Sequence, residues 1–177
     1  MSKASDRFAA RKWGVFNHYL NGMQNGGDPR RNPSGRITDW DTAVGEFDVE
    51  KLAYNLHKMG AGYYFITLMQ GSKYMCAPNA AYDRICGTQP GEACSRRDLP
   101  LEIARALEKY DIDLFLYYTG DGPHLDPIAG ERMGMGEPRV PVTETFLTNW
   151  SAVLREYAVR YGTRVKGCLF DPSDAAD

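Results

Sequence analysis

The sequence predicts an α/β chain in which about four parallel strands alternate with helices, and three observations predict it. Short apolar runs rich in aromatic and β-branched residues alternate with segments of helical period. Each helix reaches the next strand within a few residues, whereas each strand reaches the next helix only after a long polar excursion. Length and composition are those of one globular domain, residues 1–177, with 43% hydrophobic and 25% charged residues.

The first strand is expected at Trp13 to Tyr19 (WGVFNHY). A helix follows from Asp48, with Val49, Leu52, Ala53, Leu56 and Met59 on one face. Asp48 has the chemistry of an N-cap and Gly60 that of a stop. The second strand is Tyr63 to Leu68 (YYFITL), and the second long helix starts at Asp98, aligning Leu99, Ile103, Ala106, Leu107 and Tyr110. Its Pro100 falls in the first turn, where a missing N–H is tolerated. The third strand is Leu114 to Tyr118 (LFLYY). The third helix runs from Thr143, aligns Phe146, Trp150, Val153, Leu154, Tyr157 and Tyr161, and ends at Gly162. Val165 to Phe170 (VKGCLF) is the fourth strand. The middle two strands are continuous and apolar, as expected of strands covered on both faces. Helices between strands imply a parallel sheet with right-handed crossovers.

The loops carry the functional signal. Leu20 to Phe47, Met69 to Arg97 and Thr119 to Val142 are long, whereas Gly60 to Tyr63, Tyr110 to Leu114 and Gly162 to Val165 are minimal. The irregular segments therefore collect at the C-terminal ends of the strands, where barrels and open α/β sheets build their sites.

Several function classes are excluded or unsupported. A net charge of −2 with no basic stripe lacks the footprint of a nucleic-acid binder. No apolar run approaches a membrane span, and the first twelve residues lack the apolar core of a secretory signal. A cytoplasmic location is the expectation, or a periplasmic or secreted one if a leader is missing. Cys76, Cys86, Cys94 and Cys168 form no CxxC, and with three histidines they fit no common zinc spacing. Free thiols are expected, with a bridge among Cys76, Cys86 and Cys94 as the alternative. The GxG pairs at Gly120–Gly122 and Gly134–Gly136 do not continue into nucleotide-binding fingerprints. No metal and no cofactor is called for.

Parallel strands would bring His18, Gln70, the Asp121/His124 pair and Asp171 to one rim. Asp171 ends the fourth strand, a position suited to a nucleophile or general base, although DPSD is also good turn chemistry. His18 is a ligand contact or a satisfied core histidine; His124 is a rim residue or a solvated one; His57 belongs to helix packing. Tyr19, Trp40, Tyr74, Tyr117 and Tyr118 offer faces for a sugar ring, or else pack the core.

Four segments in succession resemble a family: KWGVFNHYL (Lys12 to Leu20), FDVEKLAYNLHKMGAGYYFITL (Phe47 to Leu68), RRDLPLEIARALEKYDIDLFLYY (Arg96 to Tyr118) and YGTRVKGCLFD (Tyr161 to Asp171). They are similar, in order and spacing, to motifs of glycoside hydrolase family 29 α-L-fucosidases. The resemblance implies a partial (β/α)8 TIM barrel of about four βα units and a carbohydrate substrate. It implies a retaining mechanism with Asp171 as nucleophile, a second carboxylate about 5 Å away as acid and base, and a sugar contact from His18; the rim positions Gln70, Asp121 and His124 and the aromatic faces of Tyr74 and Tyr118 complete the expected substrate-binding set. The chain departs from the family at Gln70 and Gly71, which stand where a sugar-binding histidine pair is usual, and at Pro172, where glycine is usual. A whole barrel takes about 250 residues, so the remaining strands and the acid/base are expected outside these 177 residues. The alternative is a non-catalytic carbohydrate-binding half barrel, or one that self-associates through open edges.

Overall fold

The computed structural model describes residues 3–28, 30, 32–136 and 142–171. In chain order the elements are α1 (Lys3–Ala10), β1 (Gly14–Asn17), α2 (Asn21–Gln24), α3 (Trp40–Gly45), α4 (Val49–Met59), β2 (Tyr63–Met69), α5 (Ala80–Cys86), α6 (Leu99–Glu108), β3 (Asp113–Thr119), α7 (Pro127–Met133), α8 (Glu144–Tyr161) and β4 (Val165–Asp171).

The long helices start where their caps say. The side chains of Asp48, Asp98 and Thr143 accept from Lys51 N at 2.9 Å, Leu101 N at 3.0 Å and Phe146 N at 3.0 Å, each satisfying an otherwise orphaned first-turn donor. Gly60 ends α4 in the left-handed region at φ 72°, where glycine carries no Cβ penalty. Most of the expected apolar stripes are covered, with Leu56, Ile103, Leu107 and Val153 at 1% exposure or less, whereas Met59, expected on the first stripe, is 53% exposed at the last position of α4. His57 stacks on Tyr110 with ring centroids 4.5 Å apart.

The four strands form one sheet in the order β1-β2-β3-β4, and every pair is parallel. β1 is shorter than the expected Trp13 to Tyr19, so His18 lies just past its end. One face of the sheet packs on helices: Tyr64, Ile66, Leu114 and Leu116 are buried there. On the other, inner face Phe16, Phe65 and Phe115 lie side by side in register. Phe65 and Phe115 stack at 4.8 Å, and Phe16 meets Phe65 edge-on at 6.0 Å. Four parallel strands joined by helical crossovers, with an aromatic inner face, make a partial TIM barrel.

α1 closes the lower end of that inner face. Phe8 packs 4.7 Å from Tyr63 and 5.4 Å from Phe115. Beside it, Asp113 opens β3 with its carboxylate only 3% exposed. Arg7 donates to its two oxygens from Nε at 3.0 Å and Nη2 at 2.7 Å. Arg11 does the same from Nε at 2.9 Å and Nη2 at 3.1 Å. Two bidentate forks on one carboxylate tie the chain's first helix to its third strand.

Five helices stand in segments read from sequence as polar loops or ends: α1, α2, α3, α5 and α7. They have eight residues or fewer, too short to display a helical period. Cys76, Cys86 and Cys94 are free and buried, and Cys168 is free and exposed. Among the described residues no helix is long and apolar enough to cross a membrane.

Candidate active site

The C-terminal ends of the strands set the site. His18 follows β1, and its Nδ1 lies 2.7 Å from Thr67 Oγ1 on β2. Its ring stands edge-on to Tyr117 of β3 at 5.3 Å and tilts against Phe16 at 4.6 Å. Strand alternation places all four side chains on the inner face. The Thr67 hydroxyl also reaches the Asn17 carbonyl at 3.4 Å. With that hydroxyl donating to the carbonyl, Nδ1–H donates to Oγ1, and Nε2 holds a lone pair for a ligand hydroxyl. Burial pushes the imidazole below its ordinary value, so His18 is a neutral hydrogen-bonding group near pH 7.

The loops after β2 and β3 are stitched together above the sheet. Gly71 N donates to Thr119 Oγ1 at 3.2 Å, and Leu125 N donates to Gly71 O at 2.7 Å. Gly71 sits at φ 64°, and a Cβ there would lie 2.8 Å from His124 Cε1 and 2.9 Å from Leu125 Cδ1. This explains one of the departures noted in the sequence: no side chain fits at position 71, and the imidazole of His124 fills that space from the next loop. His124 Nδ1 is 2.9 Å from Asp121 Oδ1, both side chains being nearly buried. The carboxylate thus lies against the Nδ1 edge of the ring, with Nε2 on the opposite edge. Gln70 lies between Met69 and this stitch, half-buried, with its carbonyl accepting from Ser72 N at 2.7 Å.

Asp171 is the last residue of β4, and its Cα pairs with that of Thr119. Its backbone therefore reaches the same rim, while its side chain lies outside the described residues. The rim thus gathers His18, Gln70, Asp121, His124 and the backbone of Asp171.

Two candidates sit elsewhere. Tyr118 has the opposite parity to Tyr117 and faces the helices, lining an apolar cavity of about 190 Å³ with Leu154 and Val165. Burial pushes its phenol well above the ordinary value, and Cys168 adds to the shift. Tyr74 packs 6.1 Å from Trp40 at the edge of the core. Trp40 and Tyr19 are core residues: the indole donates to Met75 O at 2.8 Å and the phenol to Ala43 O at 2.8 Å. Thr67 is a rim residue that sequence reasoning missed, and of the two neighbouring tyrosines it is Tyr117 that lies beside His18. The signal for both was strand parity counted from His18, which needs the register between strands.

Among the described residues no three His, Cys, Asp or Glu side chains come together as a metal-ligand set.

No protein-family model matches the chain, and no curated protein matches it. Solved structures do. An α-L-fucosidase GH29 from Bacteroides thetaiotaomicron is 20% identical at a TM-score of 0.60, over 97% of this chain and 41% of that one. The α-L-fucosidase from Vibrio sp. strain EJY3 is 14% identical at a TM-score of 0.62, over 97% and 32%. A putative α-L-fucosidase from Bacteroides thetaiotaomicron VPI-5482 is 14% identical at a TM-score of 0.66, over 96% and 39%. The chain spans well under half the length of each of these proteins. Four parallel strands with their long loops at one end are thus shared with larger proteins, and the fold of this chain is that of part of the α-L-fucosidase barrel.

Proposed function

We propose that this chain supplies part of the active site of a retaining glycoside hydrolase of the α-L-fucosidase kind, with Asp171 as the nucleophile. The observation that carries the reading is the rim. Hydrogen-bonding groups (His18, Gln70 and the Asp121/His124 pair) share the rim on which β4 ends, and a carboxylate at the C-terminal end of a barrel strand suits nucleophilic attack. The Asp171 carboxylate attacks the anomeric carbon, the bond from that carbon to the leaving oxygen breaks, and a glycosyl ester forms. A carboxylic acid from outside these four βα units protonates the leaving oxygen and then, as a base, activates the water that hydrolyses the ester. His18 accepts a hydrogen bond from a sugar hydroxyl at Nε2, and His124 turns its Nε2 edge to another. The likeness to α-L-fucosidases, one of them described as a trapped covalent intermediate with 2-fluoro-fucosyl fluoride, supports this reading.

A fluoride leaving group needs no general acid, so the nucleophile can be tested without the second carboxylate. The chain incubated with 2-fluoro-fucosyl fluoride is expected to gain one fluorofucosyl mass, located by peptide mapping at Asp171. The Asp171→Ala protein should gain none. A label elsewhere, or equal labelling of Asp171→Ala, refutes the assignment. Turnover of an aryl α-L-fucoside by this chain alone is expected to be weak or absent.

A second reading, in which two copies associate through their sheets, rests on Phe16, which is 45% exposed on the inner face of the edge strand β1. Sedimentation showing a monomer at all concentrations would dismiss it.

A further inference from the structure

The outer side of the sheet holds a slot that the rim does not use: the apolar cavity of about 190 Å³ between α8 and the strands β3 and β4. Leu68 and Leu116, at 2% and 3% exposure, close its deep end, and Leu154, Tyr157 and Tyr161 of α8 form one wall. Its mouth lies at Ala158 and Cys168, both exposed. The sequence of α8 explains the gap. Leu154, Ala158 and Gly162 follow one another at i, i+4 spacing on the helix face that lines the slot. After the leucine, that face carries only a methyl group and a hydrogen. A Cβ built at Gly162 would meet nothing within 4 Å.

The walls select a ligand. The hydroxyls of Tyr157 and Tyr161 are engaged elsewhere, donating to Ala77 O at 3.0 Å and to Asp98 Oδ1 at 3.0 Å, so these residues offer the slot ring carbon. Such walls favour another aromatic ring, through offset or edge contacts. The Tyr118 phenol, which interacts with the Cys168 thiol, gives the open end a polar group. No charged side chain among the described residues lines the slot, so an ion would find no counter-charge. A sugar would lose water from its hydroxyls against Leu68 and Leu116 without replacement. An apolar cavity of about 150 Å³ holds one benzene ring, and drug-sized sites begin near about 300 Å³; the slot lies between, with room for one ring or two fused ones.

We propose that this slot binds a small neutral aromatic molecule with one polar group, of the size of phenol or indole, its ring between α8 and the sheet and its polar atom beside Tyr118 and Cys168. Cys168 stands three residues before Asp171 on β4, so the occupant bears on the strand that ends at the rim. The slot lies on the other side of the sheet from His18 and Tyr117, and the binding of such a molecule does not rest on the glycosidase reading.

Cys168 reports on the slot, because the other three cysteines are buried. The full chain is alkylated with iodoacetamide under native conditions, with and without indole or phenol, and the label on Cys168 is followed by peptide mass mapping. The rate is expected to fall about tenfold once the probe stands about ten times above its Kd, and D-glucose at the same concentration should leave it unchanged. Ala158→Phe puts a ring into the mouth from an exposed helix position and should remove the probe's effect, read as the ratio of rates with and without probe. Amide shifts of Leu116, Leu154 and Val165 on titration with indole are a second readout that needs no variant, and their movement with one common Kd supports the site. Equal rates together with unmoved amides at millimolar indole overturn the proposal, as does protection that survives in Ala158→Phe or that D-glucose gives equally. Protection that grows with protein concentration in the absence of probe also overturns it, by assigning the slot to a second copy of the chain.

Discussion

Replacing Gly71 by alanine tests the stitch that builds the rim. The new Cβ would stand 2.8 Å from His124 Cε1 and 2.9 Å from Leu125 Cδ1, at a backbone φ of 64°. The left-handed conformation alone costs an alanine about 1–2 kcal/mol, and forcing a methyl into a filled site costs about 1–3 kcal/mol more. The contacting atoms belong to a loop that can give slightly, so a total of about 2–3 kcal/mol is expected. Urea denaturation reads this as a lower midpoint at an unchanged slope. The origin of the loss is separable. Removing the imidazole with His124→Ala relieves part of the clash but none of the φ strain, so the double variant should recover about 1 kcal/mol relative to additivity. A Gly71→Ala protein within about 0.5 kcal/mol of the parent, or strictly additive effects, would show that position 71 is not shaped by His124. The same variant should blunt any shift of His124 by L-fucose, since the ring can no longer occupy its place.

Three further outcomes follow from the geometry. Asp113→Asn leaves Arg7 and Arg11 without their shared carboxylate and should destabilise the fold by about 2–3 kcal/mol, the usual loss for a buried pair discounted because Arg7 is half exposed. Burial opposes the charge on Asp113, but the hydrogen bonds from Arg7 and then Arg11 outweigh it and hold the carboxyl below its usual value. That stability is therefore present above the unfolded carboxylate pKa of about 3.9 and lost as pH falls through the depressed folded value; the Asp113→Asn protein should lack this acid-limb slope in pH-dependent unfolding. His18 has the opposite charge and the same direction of loss: its folded value lies below the unfolded value of about 6.5, so stability falls as pH drops through that window, and His18→Gln should flatten it. A thiol reagent under native conditions should modify Cys168 rapidly and leave Cys76 and Cys86 untouched, because burial pushes those thiols up to about 12 and about 11; fast modification of more than one cysteine would contradict the packing.

Local chemistry was legible and non-local geometry was not. Asp48, Asp98 and Thr143 announce their helices because an N-cap and the stripe behind it are written within a dozen residues. The caps of α3, α5 and α7 are equally local: Asp39, Asn79 and Asp126 each hold a first-turn amide. They escape a reading by pattern because six or seven residues show no periodicity against a polar background. At the rim, His18 could be placed by its position at the end of an apolar run. Its partner Thr67 could not, because only the register of β1 against β2 brings them together. Tyr117 and Tyr118 are neighbours of identical type, and only the sheet's parity says which faces His18 and which faces α8. The fit of Gly71 beneath His124 joins two loops that nothing in either sequence segment pairs.

The clamp between α1 and β3 sets an order of events during folding. Arg7 and Asp113 are 106 positions apart, and α1 has only eight residues, too few to persist as a helix on its own. The surface that Phe8 covers does not exist until Tyr63 and Phe115 lie on adjacent strands. α1 is thus expected to dock late, after β2 and β3 have paired, so that its contacts form after the step that pairs them. Such contacts act on the rate of unfolding and leave the rate of folding almost unchanged. Loosening α1 should therefore shorten the native state's lifetime more than it slows folding.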